Sequence, residues 1–108
     1  MSASFVTQLR VSRPPLVVGE PGRPAIRLRV QVPEVWDLVR IDVPAGQPVR
    51  TIKLLALEVL RPGEEQPAEY VMKLGGWEIL DEQASLGEVG AVDGSTFLLT
   101  SRRRRPVR

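Results

Sequence analysis

A Gly-Gly pair at 75–76 between two short apolar runs, followed by Asp93-Gly94 and the run Thr96-Phe97-Leu98-Leu99-Thr100, leaves few architectures open to this chain. Glycine reaches positive φ without a Cβ clash, so Gly75-Gly76 predicts a tight hairpin turn. Asp93-Gly94 predicts a second turn, and residues 96–100 predict a short, buried final strand. Between these turns Leu80, Leu86, Val89 and Val92 are spaced irregularly among small and acidic residues. That spacing suits a compact crossover with a helical turn, tucking its apolar side chains under a sheet.

The preceding residues supply the rest of the sheet. Ile26, Leu28, Val30 and Val32 alternate with Arg27, Arg29 and Gln31, the period-two pattern of a strand with one buried face. After Pro33-Glu34, the residues Val39, Ile41 and Val43 alternate with Arg40 and Asp42. A hairpin follows, its first strand at 25–32 and its second running from Val35 or Trp36 to Val43. Val49, Ile52, Leu55, Ala56, Val59 and Leu60 then recur at spacings of three and four, predicting a helix of about twelve residues. Pro48 suits its first turn, and Arg61-Pro62-Gly63 ends it. Residues 69–74 predict a third strand with Tyr70, Met72 and Leu74 on one face. The order is strand, strand, helix, strand, short strand, strand. It describes an α+β domain in which one helix covers a mixed sheet of four to five strands.

The Leu80-Asp81 step, Ser85-Leu86, the glycine-valine-glycine series Gly90, Val92, Gly94 and the terminal apolar strand together resemble the second half of ubiquitin-like proteins. The similarity is greatest to the small bacterial YukD/EsaB-type members and spans roughly residues 25–101. It implies a ubiquitin-like β-grasp domain at 25–101, preceded by a Pro/Gly-rich arm at 1–24 and followed by a basic tail at 102–108. It also implies a non-enzymatic protein-interaction module associated with type VII secretion, whose partner would be a secretion ATPase or membrane component. Ubiquitin-like domains commonly use the outward sheet face as an apolar recognition patch. By that resemblance the partner-binding positions are Val71, Lys73, Trp77 and Leu98.

Composition removes most chemistry. The 108 residues contain no cysteine and no histidine. Thiol nucleophiles, disulfides, the usual general base and the commonest metal ligand are therefore missing. No catalytic residue, metal site or cofactor is expected. Glu64, Glu65, Asp81, Glu82 and Glu88 sit in polar stretches and are expected on a solvated surface. Gly87, Gly90 and Gly94 do not form a phosphate-binding spacing, and turn geometry accounts for them. There is no apolar run of 18 or more residues, and the first residues lack a basic start and long apolar core, so cytoplasmic localisation is expected.

Charge is uneven. Residues 25–101 carry seven Lys/Arg against twelve Asp/Glu, a net −5, whereas 102–108 carry five arginines and no acid. In ubiquitin-type modifiers, arginines after the final strand are read by activating enzymes. Resemblance therefore marks Arg102, Arg103, Arg104 and Arg105 for tail recognition or processing. The alternative function is a covalent modifier served by activating and conjugating enzymes and a processing peptidase. The sequence departs from that pattern, because no glycine follows Gly94. Nucleic-acid binding by the tail is disfavoured by the acidic body and the few aromatics for stacking. The breaker-rich segment 1–24 is expected to be an extended arm, with 6–11 as a possible edge strand.

Overall fold

The computed structural model describes residues 14–19 and 24–102. The first hairpin pairs β2 (Ile26–Val32) with β3 (Asp37–Val43), and β1 (Leu16–Val17) precedes it. Its register sets Leu28 opposite Ile41 and Val30 opposite Val39. All four are buried, so the alternation in the sequence translates directly into a core face. The second strand starts later than expected. Pro33–Val35 forms a 3-10 turn, with proline's fixed φ at its start, and Trp36 closes it at φ 53, so pairing resumes only at Asp37.

Helix α1 (Val49–Leu60) has the expected twelve residues and turns Val49, Ile52, Ala56, Leu57 and Leu60 inward. Its N-cap is Pro48, whose side chain offers no acceptor. The crossover supplies acceptors instead. Val49 N donates to Ala84 O at 3.0 Å and Arg50 N to Glu82 O at 2.9 Å. In return Leu86 N donates to Gln47 O and Gly87 N to Ala45 O. The four bonds fasten the crossover to the helix start, and the two from Val49 and Arg50 satisfy donors that every helix leaves unpaired.

Strand β4 (Tyr70–Leu74) follows a 3-10 turn at Pro67–Glu69 and meets β5 (Trp77–Glu78) through Gly75 and Gly76, at φ 62 and 87. Two consecutive positive φ values define the tight hairpin turn that the glycine pair predicted. Strand β6 (Thr96–Ser101) lies parallel to β2 and antiparallel to β4. Phe97, fully buried between Val30 and Leu74, occupies the middle of the sheet. Burying a side chain of this size contributes roughly 1.5–3 kcal/mol.

The sheet order is β1-β3-β2-β6-β4-β5, six strands rather than four to five. The added strand is β1, parallel to β3 with Leu16 opposite Ile41; Val18 N extends the ladder to Asp42 O at 2.8 Å. It comes from the proline-rich segment, where Pro15 and Gly19 leave only a short extended piece between them. The strand considered at 6–11 lies outside the described residues.

The crossover at 79–95 is also partly corrected. Leu86 is fully buried, Ala91 is nearly so, and Val89 packs on the core, but Leu80 and Val92 are exposed, at 86% and 63%. Ile79 N still pairs with Met72 O, so the alternation that turns Ile79 inward turns Leu80 away. Val92 is held at the surface by its turn, donating to Ser95 Oγ at 2.9 Å, while Ala91 takes the inside position. Ser85 and Glu88 form a reciprocal box: Glu88 N donates to Ser85 Oγ and Ser85 N to Glu88 Oε1.

Candidate interaction surface

The sheet has two faces of different character. Tyr70, Met72, Phe97 and Leu99 point to the core, so alternation puts Val71, Lys73 and Leu98 on the opposite, outer face. The register aligns them with more of the sheet. Leu38 is opposite Gln31, Gln31 opposite Leu98, Leu98 opposite Lys73, and Lys73 opposite Glu78. One transverse row therefore crosses five strands, with leucines of β3 and β6 in it. Leu38 is exposed, and Leu98 and Lys73 are half-buried.

Val71 belongs to this face but contributes little accessible surface, at 6% exposure. Arg102 Nη2 reaches Glu78 Oε2 at 3.3 Å, linking the end of β6 to β5 across the strand that carries Val71. Arg102 is thus the first of the tail arginines and an ion-pair partner within the sheet. Arg103, Arg104 and Arg105 lie outside the described residues.

Trp77 does not join the other three. It pairs with Leu74, a core-facing position, and opposite residues of a ladder share a face. It is 80% exposed and borders a separate cleft of about 350 Å³ with Leu74, Ile79, Leu80, Ala84 and Val89. Sequence alone could not separate Trp77 from the others, because its face follows from the Gly75-Gly76 turn register rather than from apolar spacing. A second concavity, of about 490 Å³, lies where Leu16, Val17 and Val18 approach Thr51, Leu54, Leu55 and Glu58 of the helix.

The carboxylates do not converge on a reaction centre. Glu88 is held in its box with Ser85, Asp81 Oδ1 accepts the Gln83 N–H, and Glu64 Oε2 accepts that of Gln66. Among the described residues, no group of three or more potential ligating side chains is arranged to hold a metal. Glu82 departs from the solvated-surface expectation. Its two oxygens accept from Lys53 Nζ at 3.0 and 2.9 Å, and Lys53, on the inner face of α1, is only 1% exposed. The pair explains how a lysine occupies an apolar face. An ammonium group out of water needs an opposite charge and hydrogen bonds to be tolerated.

Tyr70, the chain's single tyrosine, is buried with Arg61 6.0 Å above its ring. Burial pushes its phenol above the ordinary 10.0, although Arg61 opposes the shift. Ultraviolet titration should therefore give a midpoint above 10.0, and stability should decline as pH rises through the unfolded tyrosine's value. The sign follows because the folded state holds the proton more tightly. A midpoint at or below 10.0 would contradict this packing.

Among the described residues, no helix is long and apolar enough to cross a membrane. No family model and no curated protein gives a match to the sequence. Solved structures do. A ubiquitin-like domain from Arabidopsis thaliana aligns with TM-score 0.64 and 14% identity over 83% of this chain and 90% of its own. Ubiquitin of Caldiarchaeum subterraneum aligns at 0.62 and 14%, covering 78% and 98%. The ubiquitin-like domain of Plasmodium falciparum Dsk2 aligns at 0.61 and 18%, covering 72% and 99%. At these identities the likeness establishes architecture rather than family: the helix held by this mixed sheet is the ubiquitin-like fold.

Proposed function

We propose that the protein is a non-enzymatic ubiquitin-like interaction module that docks a protein partner on the outer face of its sheet. The row Leu38, Gln31, Leu98, Lys73 carries this reading. It sets exposed and half-buried leucines beside a cation on a face opposite to the one the helix covers. Such a mixture suits a partner that buries an apolar centre within a polar rim. The finer identity we infer is a YukD/EsaB-like accessory protein acting in the cytoplasm, with a secretion ATPase or membrane component as partner. Its support is the motif resemblance of residues 80–100 within the ubiquitin-like fold.

A second reading is favoured by the arginine run after β6 and by the likeness to an archaeal ubiquitin. It makes the protein a covalent modifier, activated after tail processing. Intact mass of the protein recovered from its native cells separates the two. A mass ending at Arg108 with no branched adduct supports the non-covalent module. A trimmed C-terminus, or an isopeptide joining the segment after Thr100 to another protein, supports the modifier and overturns the first reading.

A further inference from the structure

The acidic balance of residues 25–101 is not spread evenly over the surface. By alternation the outer sheet face carries Arg27, Arg29, Arg40, Lys73 and Arg102, with Asp42 and Glu78 as acids on the same strands. Both acids are engaged, Asp42 by Arg27 at 3.0 Å and Glu78 by Arg102 at 3.3 Å. Arg29 and Arg40 stand directly opposite one another in the β2–β3 ladder, and both are exposed. Neither makes an ion pair or a side-chain hydrogen bond among the described residues. Like charges at directly opposed positions destabilise an antiparallel pair, so the arrangement does not serve the fold.

A second departure from local preference lies at the tip of the same hairpin. Trp36 holds a left-handed backbone, φ 53, and is 80% exposed. A bulky residue in that conformation costs stability. The two opposed guanidiniums on the adjoining strands mark this face of the hairpin as a surface kept for something other than folding, and the exposed Trp36 lies at its tip.

We propose that the Arg29–Arg40 pair is a docking site for an acidic, leucine-bearing segment of a partner protein. The inference rests on the reading of the outer face as an interaction surface and names the partner's chemistry. Charge complementarity supplies the acid: two guanidiniums side by side, with no ion pair among the described residues, suit carboxylates, which they bind in paired hydrogen bonds. The neighbouring row supplies the apolar requirement. Leu38 lies two residues from Arg40, and Leu98 two residues from Thr96, which pairs with Arg29. Two residues along a strand span about 7 Å, so glutamates over the arginines would set a leucine of the segment over this row. A nucleic acid fits worse, since its phosphates gain nothing from the leucines beside the arginines.

The test uses the full chain carrying Trp77→Phe, which leaves Trp36 as the fluorescent reporter. A synthetic peptide of alternating glutamate and leucine should shift Trp36 emission, with binding weakened between roughly 0.05 and 0.5 M salt. Joint replacement Arg29→Thr and Arg40→Thr should weaken binding roughly tenfold or more and raise the melting temperature by about a few degrees. The thermal gain marks a site held at the fold's expense, and it shows that lost binding is not lost structure. Equal binding by the double variant, no response of Trp36, or tighter binding of an oligonucleotide of matched charge would each overturn the proposal. Leu98→Asp separates it from the broader reading. If that change abolishes partner capture in cells while the double threonine variant does not, the outer face is the docking surface and the arginine pair is not its acidic site.

Discussion

Glu82→Ala is expected to cost about 3–5 kcal/mol, although Glu82 itself is partly exposed. The replacement deletes both acceptors of Lys53 Nζ and leaves an ammonium group on the inner face of α1, where it is 1% exposed. Such a loss approaches the whole stability of a marginal domain, typically about 5–15 kcal/mol. Urea unfolding followed by circular dichroism measures it. The partners should respond unequally. Lys53→Met fills the apolar site and leaves a carboxylate whose side chain is 19% exposed and free to hydrate, so its cost should be clearly smaller. Replacing both, with Met at 53 and Leu at 82, should recover most of the loss. Equal costs for the two single variants would show that the ion pair is not what holds this lysine inside.

Leu86→Ala is expected to cost about 2–5 kcal/mol. Leu86 is the one fully buried side chain contributed by the crossover among the described residues. It ties the crossover to the turn before the helix: its own N–H donates to Gln47 O, and Gly87 N donates to Ala45 O. The deletion therefore opens a cavity and loosens the segment that carries the Ala84 and Glu82 carbonyls. Hydrogen exchange should show the amides of Val49 and Arg50 losing protection ahead of the mid-helix amides. Uniform loss along the helix would contradict a crossover that acts as the cap.

The elements legible in the sequence were those whose signal is local. Strict alternation at 26–32 and 39–43, the three-four spacing of α1 and the Gly75-Gly76 turn each specify a backbone by themselves, and each is present. The inward set Tyr70, Met72 and Leu74 followed from the same period-two logic. What was not legible depends on residues distant in sequence. Lys53 reads as a solvated helix residue until Glu82, 29 positions later, is folded against it. The β1 strand exists because β3 offers an open edge, a property no residue of 14–19 announces. The opposition of Arg29 and Arg40 needs the hairpin register, and the separation of Trp77 from Leu98 needs that of β4 with β5. The Ser85-x-x-Glu88 box was available as a motif, and it accounts for a carboxylate otherwise read as merely solvated.

The site divides in the same way. The resemblance points to Val71, Lys73, Trp77 and Leu98, of which Val71, Lys73 and Leu98 share the outer face, but neither Val71's low accessibility nor the Arg102–Glu78 bridge has a signature in the chain. The cationic character of the outer face was hidden by a net charge that sums over both faces.

A photo-crosslinking amino acid placed at Leu98 in the native cells, compared with one at Leu54 on the helix, tests the outer-face account most directly. The account predicts a discrete protein adduct from position 98, lost when Lys73→Glu is added, and none from position 54. Adducts from position 54 with none from position 98 would place the interaction on the helix side and contradict it.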